Sequence, residues 1–253
     1  MEGGSRIGLA AATLAFSILS GACLAGEAKT PLGVVELFTS QGCSSCPPAD
    51  KVFGELAARD DVVALAYHID YWDYLGWQDT LANPDNSARQ YDYMHAFGKR
   101  AVYTPQAIVN GRTEASGANR EEIETALVGL KKDGKGLTVP ISVKRAGDSV
   151  VIEAGEGDHD AKATVVLVLF APATPISIRK GENKGRTITY WNAVLRVQTV
   201  GMWHGATARF EMPVTEVIRK GAEGCAVLLQ AVSADGRPGP IIGATIIRKH
   251  KSQ

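Results

Sequence analysis

This chain has no excess of either charge. Its 253 residues carry 27 Lys plus Arg against 27 Asp plus Glu, with no basic stripe or acidic block. Such a surface has no cationic face for a polyanion, so neither nucleic acid nor an anionic membrane is an expected partner. Histidine and cysteine are scarce, at five and four residues. Internal repeats and low-complexity tracts are absent. Apolar residues are plentiful at 45%, enough for one large core or two modest ones.

The N-terminus reads as an export signal. Arg6 is followed by an uncharged apolar stretch, Ile7 to Leu19, and the small residues Gly21, Ala22, Ala25 and Ala28 offer cleavage after Ala25 or after Ala28. Residues 1–28 are therefore assigned to a signal peptide, with a periplasmic or secreted location and no stable membrane span after cleavage. Lipoprotein anchoring at Cys23 is the alternative, although Ser20 stands where that motif needs leucine. Cleavage at either place leaves Cys43, Cys46 and Cys225, too few for a structural zinc site. One pair and one leftover are expected, with Cys225, in the apolar run CAVLL, as a buried core thiol.

Cys43-Ser44-Ser45-Cys46 follows the apolar run Val34-Val35-Glu36-Leu37-Phe38. Two cysteines at this spacing close a small disulfide ring, and a sulfur beside free helix N–H groups is favoured as a thiolate. Periodicity predicts strand, CxxC, helix, strand, helix, strand, hairpin, helix over residues 29–133. The strands are Gly33 to Phe38, Val62 to Tyr67 and Pro105 to Val109, with an Asn110-Gly111 turn into Arg112 to Ala115. The second helix should start at Asn83 or Asn86 and face Ala88, Tyr91, Met94 and Phe97 inward. The third opens at Asn119 with Glu122 three residues on. After the polar break KKDGKG, residues 137–250 carry about eight short strands and no helix, which predicts an antiparallel β sandwich.

The element order is that of thioredoxin, a mixed α/β sheet in βαβα-ββα order. Thr104-Pro105 stands where a cis proline opens the third strand, and an aromatic-rich insertion occupies residues 68–82. The wording goes further. Val35 through Cys43 to Asp50, His68-Ile69-Asp70-Tyr71-Trp72-Asp73-Tyr74-Leu75-Gly76-Trp77, Val102-Tyr103-Thr104-Pro105-Gln106 and Gly181-Glu182-Asn183 through Arg186 to Tyr190 resemble a secreted thioredoxin-like group, domain of unknown function 1223. That resemblance implies the fold and a cis-proline loop beside the dithiol; it implies no substrate.

The chemistry assigns Cys43 as nucleophile and Cys46 as resolving thiol. Ser44 and Ser45 are expected to donate hydroxyl hydrogen bonds to the thiolate. Thr104, Pro105, Trp72 and Trp77 are expected around the substrate. Glu36, seven residues before Cys43 in a buried strand, resembles the acid that moves a proton for the resolving thiol; pairing with Lys or Arg is the structural alternative. Pro47-Pro48 would delay the helix and weaken its hold on Cys43. The leading reading is an exported thiol-disulfide oxidoreductase acting on protein or small-molecule thiols and disulfides, with no cofactor beyond the Cys43–Cys46 disulfide. One alternative is a copper-binding or delivery module using the same thiolates with His68, His95 or Met94. The other is a non-catalytic binding protein in which the disulfide is a staple.

Overall fold

The computed structural model describes residues 30–233 and 236–248. The segment read as an export signal and Cys23 lie outside them. The first half runs β1 (Gly33–Thr39), α1 (Pro47–Ala57), β2 (Val62–His68), a 3-10 turn at Asp73–Leu75, α2 (Pro84–Ala96), β3 (Gln106–Val109), β4 (Thr113–Ser116) and α3 (Arg120–Lys132). Its strands form a mixed sheet in order β2-β1-β3-β4. β1 pairs in parallel with β2 and antiparallel with β3. Both β1 and β2 are buried along their whole length, which is why they read as nearly continuous apolar runs, with Glu36 the one charged residue in β1. At the β3–β4 turn, Asn110 and Gly111 both hold positive φ, 50° and 60°, as the Asn-Gly pair predicts.

The second half runs β5 (Ile141–Ala146), β6 (Ser149–Ala154), β7 (Ala163–Phe170), β8 (Thr174–Ser177), β9 (Thr187–Tyr190), β10 (Val194–Trp203), β11 (Ala208–Pro213), α4 (Val214–Val217), β12 (Gly224–Val232) and β13 (Pro238–Arg248). Three antiparallel sheets result, in orders β10-β7-β12-β13, β11-β6-β5 and β8-β9. The protein is thus mostly β, a mixed sheet joined to antiparallel ones.

Strand periodicity explains the layering, because successive side chains leave a strand on opposite faces. Val35 and Leu37 of β1 pack with Phe53, Leu56, Ile123 and Leu127 of α1 and α3. Val34 and Phe38 point the other way, into a core shared with Val166 and Val168 of β7 and Leu228 of β12. Val165 and Leu167 of β7 in turn face Val143, Ile152 and Trp203 in a third core. Helices, mixed sheet and two antiparallel sheets therefore stack in four layers, and the two halves share one apolar interior.

Three sequence expectations need correction. The segment read as one strand from Thr187 to Thr199 is two, β9 and β10. Between them Asn192 adopts φ 46°, its side chain donates to Ala64 O at 2.9 Å, and Ala66 N donates to Asn192 O. The chain detours to cover the outer edge of β2. A short helix, α4, stands where none was expected. The buried face of α2 is Asn86, Ser87, Gln90, Tyr93 and Met94, and Tyr91 is exposed. That face is largely polar and held by hydrogen bonds, so apolar spacing points to the wrong side.

Candidate functional site

The site forms where β1 gives way to α1. Cys43 N donates to Ser40 O and Cys46 N to Cys43 O, two turns that bring the cysteines to a Cα separation of 5.4 Å and join them in a disulfide. Cys46 is the N-cap residue and Pro47-Pro48 fill the first two helical positions. Prolines carry no N–H, so two of the donors expected to favour a Cys43 thiolate do not exist. The dipole expectation is corrected accordingly.

Hydroxyls take their place. Thr104 Oγ1 donates to Cys43 Sγ at 3.2 Å and accepts the Trp72 indole N–H at 2.8 Å. Ser45 Oγ lies 3.3 Å from Cys43 Sγ and 3.4 Å from Thr104 O. Ser44 is exposed. The Thr104–Pro105 bond is cis, and Pro105 is buried beneath the loop. Cys43 is only 4% exposed and Cys46 fully buried, so a reactant reaches Cys43 first.

A cluster that sequence reasoning missed lies on the α1 side of the sheet. Asp50 is four residues after Cys46 and its N–H donates to Cys46 O at 3.0 Å, which sets the two side chains on one helix face. Asp50 Oδ1 accepts from Thr39 Oγ1 at 2.8 Å. Burial pushes the Asp50 carboxyl up to about 7, with the neighbouring His68 opposing the rise. His68 Nδ1 is 2.8 Å from Asp79 Oδ2 with both side chains fully buried. Burial disfavours the imidazolium, yet Asp79 outweighs it and His68 rises above its ordinary value. Burial likewise opposes the Asp79 carboxylate, but His68 and backbone N–H donors hold it below the usual range. The Tyr190 ring packs edge-on against His68, 4.7 Å between centroids. Asp50 Oδ2, His68 Nε2 and Tyr190 OH are buried without a hydrogen-bond partner.

Glu36 is not brought to the dithiol. It occupies the opposite face of β1, where Arg89 Nε donates to Oε1 at 2.8 Å and Tyr93 OH donates to Oε2. Arg89 also donates to Gln230 of β12 and sits over the Tyr67 and Tyr93 rings. The structural pairing with arginine is the arrangement found, and Asp50 is the buried carboxyl on the dithiol side. His68 is committed to Asp79. His95 and Met94 end α2, where His95 O accepts from Arg237. Among the described residues no three His, Cys, Asp or Glu side chains converge as metal ligands. Cys225 is buried in β12 as expected but is disulfide-bonded rather than a thiol.

The aromatic insertion braces the loop. Trp77 Nε1 donates to Gln41 Oε1 at 2.8 Å, and Gln41 N donates to Asp79 Oδ2 at 2.8 Å. Trp72 abuts Gly42, where an added Cβ would meet its Cβ and carbonyl at 3.2 Å. Tyr74 remains 75% exposed. From the second half, the Asn183 carboxamide donates to Cys43 O at 2.8 Å and Gln41 O at 3.0 Å. Gln41, Asp50 and Asn183 lie within the quoted motifs, and Asp79 stands two residues beyond one of them. Only the i,i+4 spacing of Cys46 and Asp50 signalled a role from sequence.

Similar proteins can now be set beside this geometry. A crystal structure of a protein from Agrobacterium tumefaciens is 46% identical, superposes with a TM-score of 0.80, and the match covers 89% of this chain and 97% of that one. HBP35 of Porphyromonas gingivalis shares 13% identity and a TM-score of 0.58 over 90% of this chain and 78% of that one, a likeness of fold alone. No curated protein matches. Residues 34–230 match the model of the family described as protein of unknown function, DUF1223, and the chain belongs to that family.

Proposed function

We propose that this chain is an exported thiol-disulfide exchange protein, with a thioredoxin-like first half and a β sandwich packed against it. The element order, the β2-β1-β3-β4 strand order and a dithiol between β1 and α1 support the fold reading. Arg6 and the apolar stretch behind it support export. The observation that carries the function is the Thr104 hydroxyl donating to Cys43 Sγ within a closed Cys43–Cys46 pair. A hydroxyl so placed stabilises negative charge on sulfur when the pair is reduced.

The exchange starts from the reduced protein. The Cys43 thiolate attacks one sulfur of a substrate disulfide, forms a mixed disulfide and releases the first substrate thiolate. Cys46 then loses its proton, for which the Asp50 carboxylate is the neighbouring acceptor, and attacks Cys43 Sγ. The mixed disulfide breaks, the second substrate thiolate leaves, and the Cys43–Cys46 disulfide forms. Two electrons pass to the substrate, whose two sulfurs take up protons. The reverse sequence oxidises a dithiol.

Equilibration with glutathione redox buffers tests this reading. A reversible Cys43–Cys46 equilibrium, and mixed disulfides trapped by Cys46→Ser, are the expected results. A pair that stays oxidised in excess dithiothreitol while the protein is folded would make it a staple. Stoichiometric Cu(I) binding lost in Cys43→Ser, without exchange, would make it a copper module.

A further inference from the structure

The loop between β8 and β9 reads Arg179-Lys180-Gly181-Glu182-Asn183-Lys184-Gly185-Arg186. As a plain connection it needs no such composition. Four cations stand there against one carboxylate, in a protein whose total charge is zero. All four are exposed, and none forms an ion pair with a described residue.

Its position is fixed by the dithiol loop itself. Asn183 is 1% exposed and donates to the carbonyls of Cys43 and Gln41. Gly181, at φ 71°, lies so close to the insertion that an added Cβ would meet the Cβ of Trp77 at 3.1 Å. Lys184 is one Cα step, about 3.8 Å, from the residue that holds the Cys43 carbonyl. Lys180 and Arg186 follow three positions away on either side. That range is comparable with the Debye length of about 8–10 Å at moderate salt.

The acidic groups nearby do not cancel this field from an equivalent position. Asp79 is paired with His68. Asp70 and Asp73, half-buried on the insertion, keep their charge, and with Glu182 they leave the four cations of the loop in excess by one. Asp50 is buried. Ser44 and Ser45 beside Cys43 are exposed, and the cationic loop is tied to the same turn through the Asn183 bond to the Cys43 carbonyl.

We propose that the Arg179–Arg186 loop selects disulfides that carry carboxylates beside the reacting sulfur, an inference that rests on the exchange reading above. The cations attract such a substrate and stabilise the anionic thiolate that leaves when Cys43 displaces it.

The test compares three small disulfides against the reduced protein. Oxidised glutathione is anionic, hydroxyethyl disulfide neutral and cystamine cationic. Each rate is divided by the rate of the same disulfide with dithiothreitol, which removes intrinsic reactivity. At low ionic strength oxidised glutathione is expected to lead cystamine by about tenfold or more, with the ratio falling toward one at high salt. In Lys180→Glu/Lys184→Glu the ratio should fall or reverse at low salt. A ratio indifferent to substrate charge, salt and these substitutions, in a protein that exchanges with hydroxyethyl disulfide, overturns the selectivity and leaves the exchange reading standing. No exchange with any of the three overturns both.

Discussion

Thr104 Oγ1 donates to Cys43 Sγ at 3.2 Å and accepts the Trp72 indole N–H at 2.8 Å. An indole nitrogen only donates, so the three groups have a single polarity. Thr104→Val should raise the Cys43 thiol by about one pKa unit, or ~1.4 kcal/mol, the scale of one lost hydrogen bond to a charged sulfur. The pH profile of alkylation of the reduced protein reads this directly. An unmoved profile would take the hydroxyl out of the chemistry.

Asp50 makes stability depend on pH. Burial lifts its carboxyl to about 7 in the folded state, partly opposed by His68. A carboxyl raised on folding favours the fold while protonated, fully below its unfolded value near 4, and loses that contribution as pH rises through 7. Asp50→Asn stays neutral throughout. It should flatten the fall in stability between pH 5 and pH 8 by roughly 2–3 kcal/mol, measured by urea unfolding. His68, raised by Asp79 against burial, leaves a smaller decline of the same sign in the variant. Equal slopes in both proteins would remove Asp50 from the account.

Glu36 and Arg89 predict a purely structural phenotype. Replacing Glu36 by Gln leaves a nearly buried guanidinium without its counter-charge, an effect of about 3–5 kcal/mol. Thermal or urea unfolding should show the loss, with the Cys43 alkylation profile of the folded variant unchanged. A shifted profile would return Glu36 to the dithiol.

Asn183→Ala removes two donors at once, stranding the buried carbonyl of Gln41 and leaving that of Cys43 with the Cys46 N–H alone. A cost of about 1–3 kcal/mol per unpaired group sets the scale. Hydrogen exchange should accelerate across residues 40–46 more than across β7. Uniform acceleration would mean that the loop does not depend on this clamp.

Much of the frame was legible because it follows from local chemistry. Nearly continuous apolar runs mark β1 and β2, Asn110-Gly111 marks the β3–β4 turn, and Asn119 caps α3, its side chain accepting from Glu122 N. The two prolines correctly warned of a helix that starts beyond the dithiol. What stayed hidden depends on partners distant in sequence. Glu36 looked like an acid for the dithiol because nothing in its strand shows that Arg89 and Gln230 wait on the other face. The Asp50 carboxyl is raised by burial and lies beside His68 and Tyr190, residues that no local pattern brings to it. Asn183 lies 140 positions from Cys43, and no periodicity reports a contact of that separation.

The shared interior also sets the order of assembly. Val34 and Phe38 bury one face of β1 against β7 and β12, strands that follow more than 120 residues later in synthesis. Until they arrive, the first half presents an apolar sheet face to water, and long loops must close before that face is rewarded. The polypeptide therefore has to be complete before its first strand is safe, and a truncation after α3 would yield an aggregating fragment rather than a miniature of the protein.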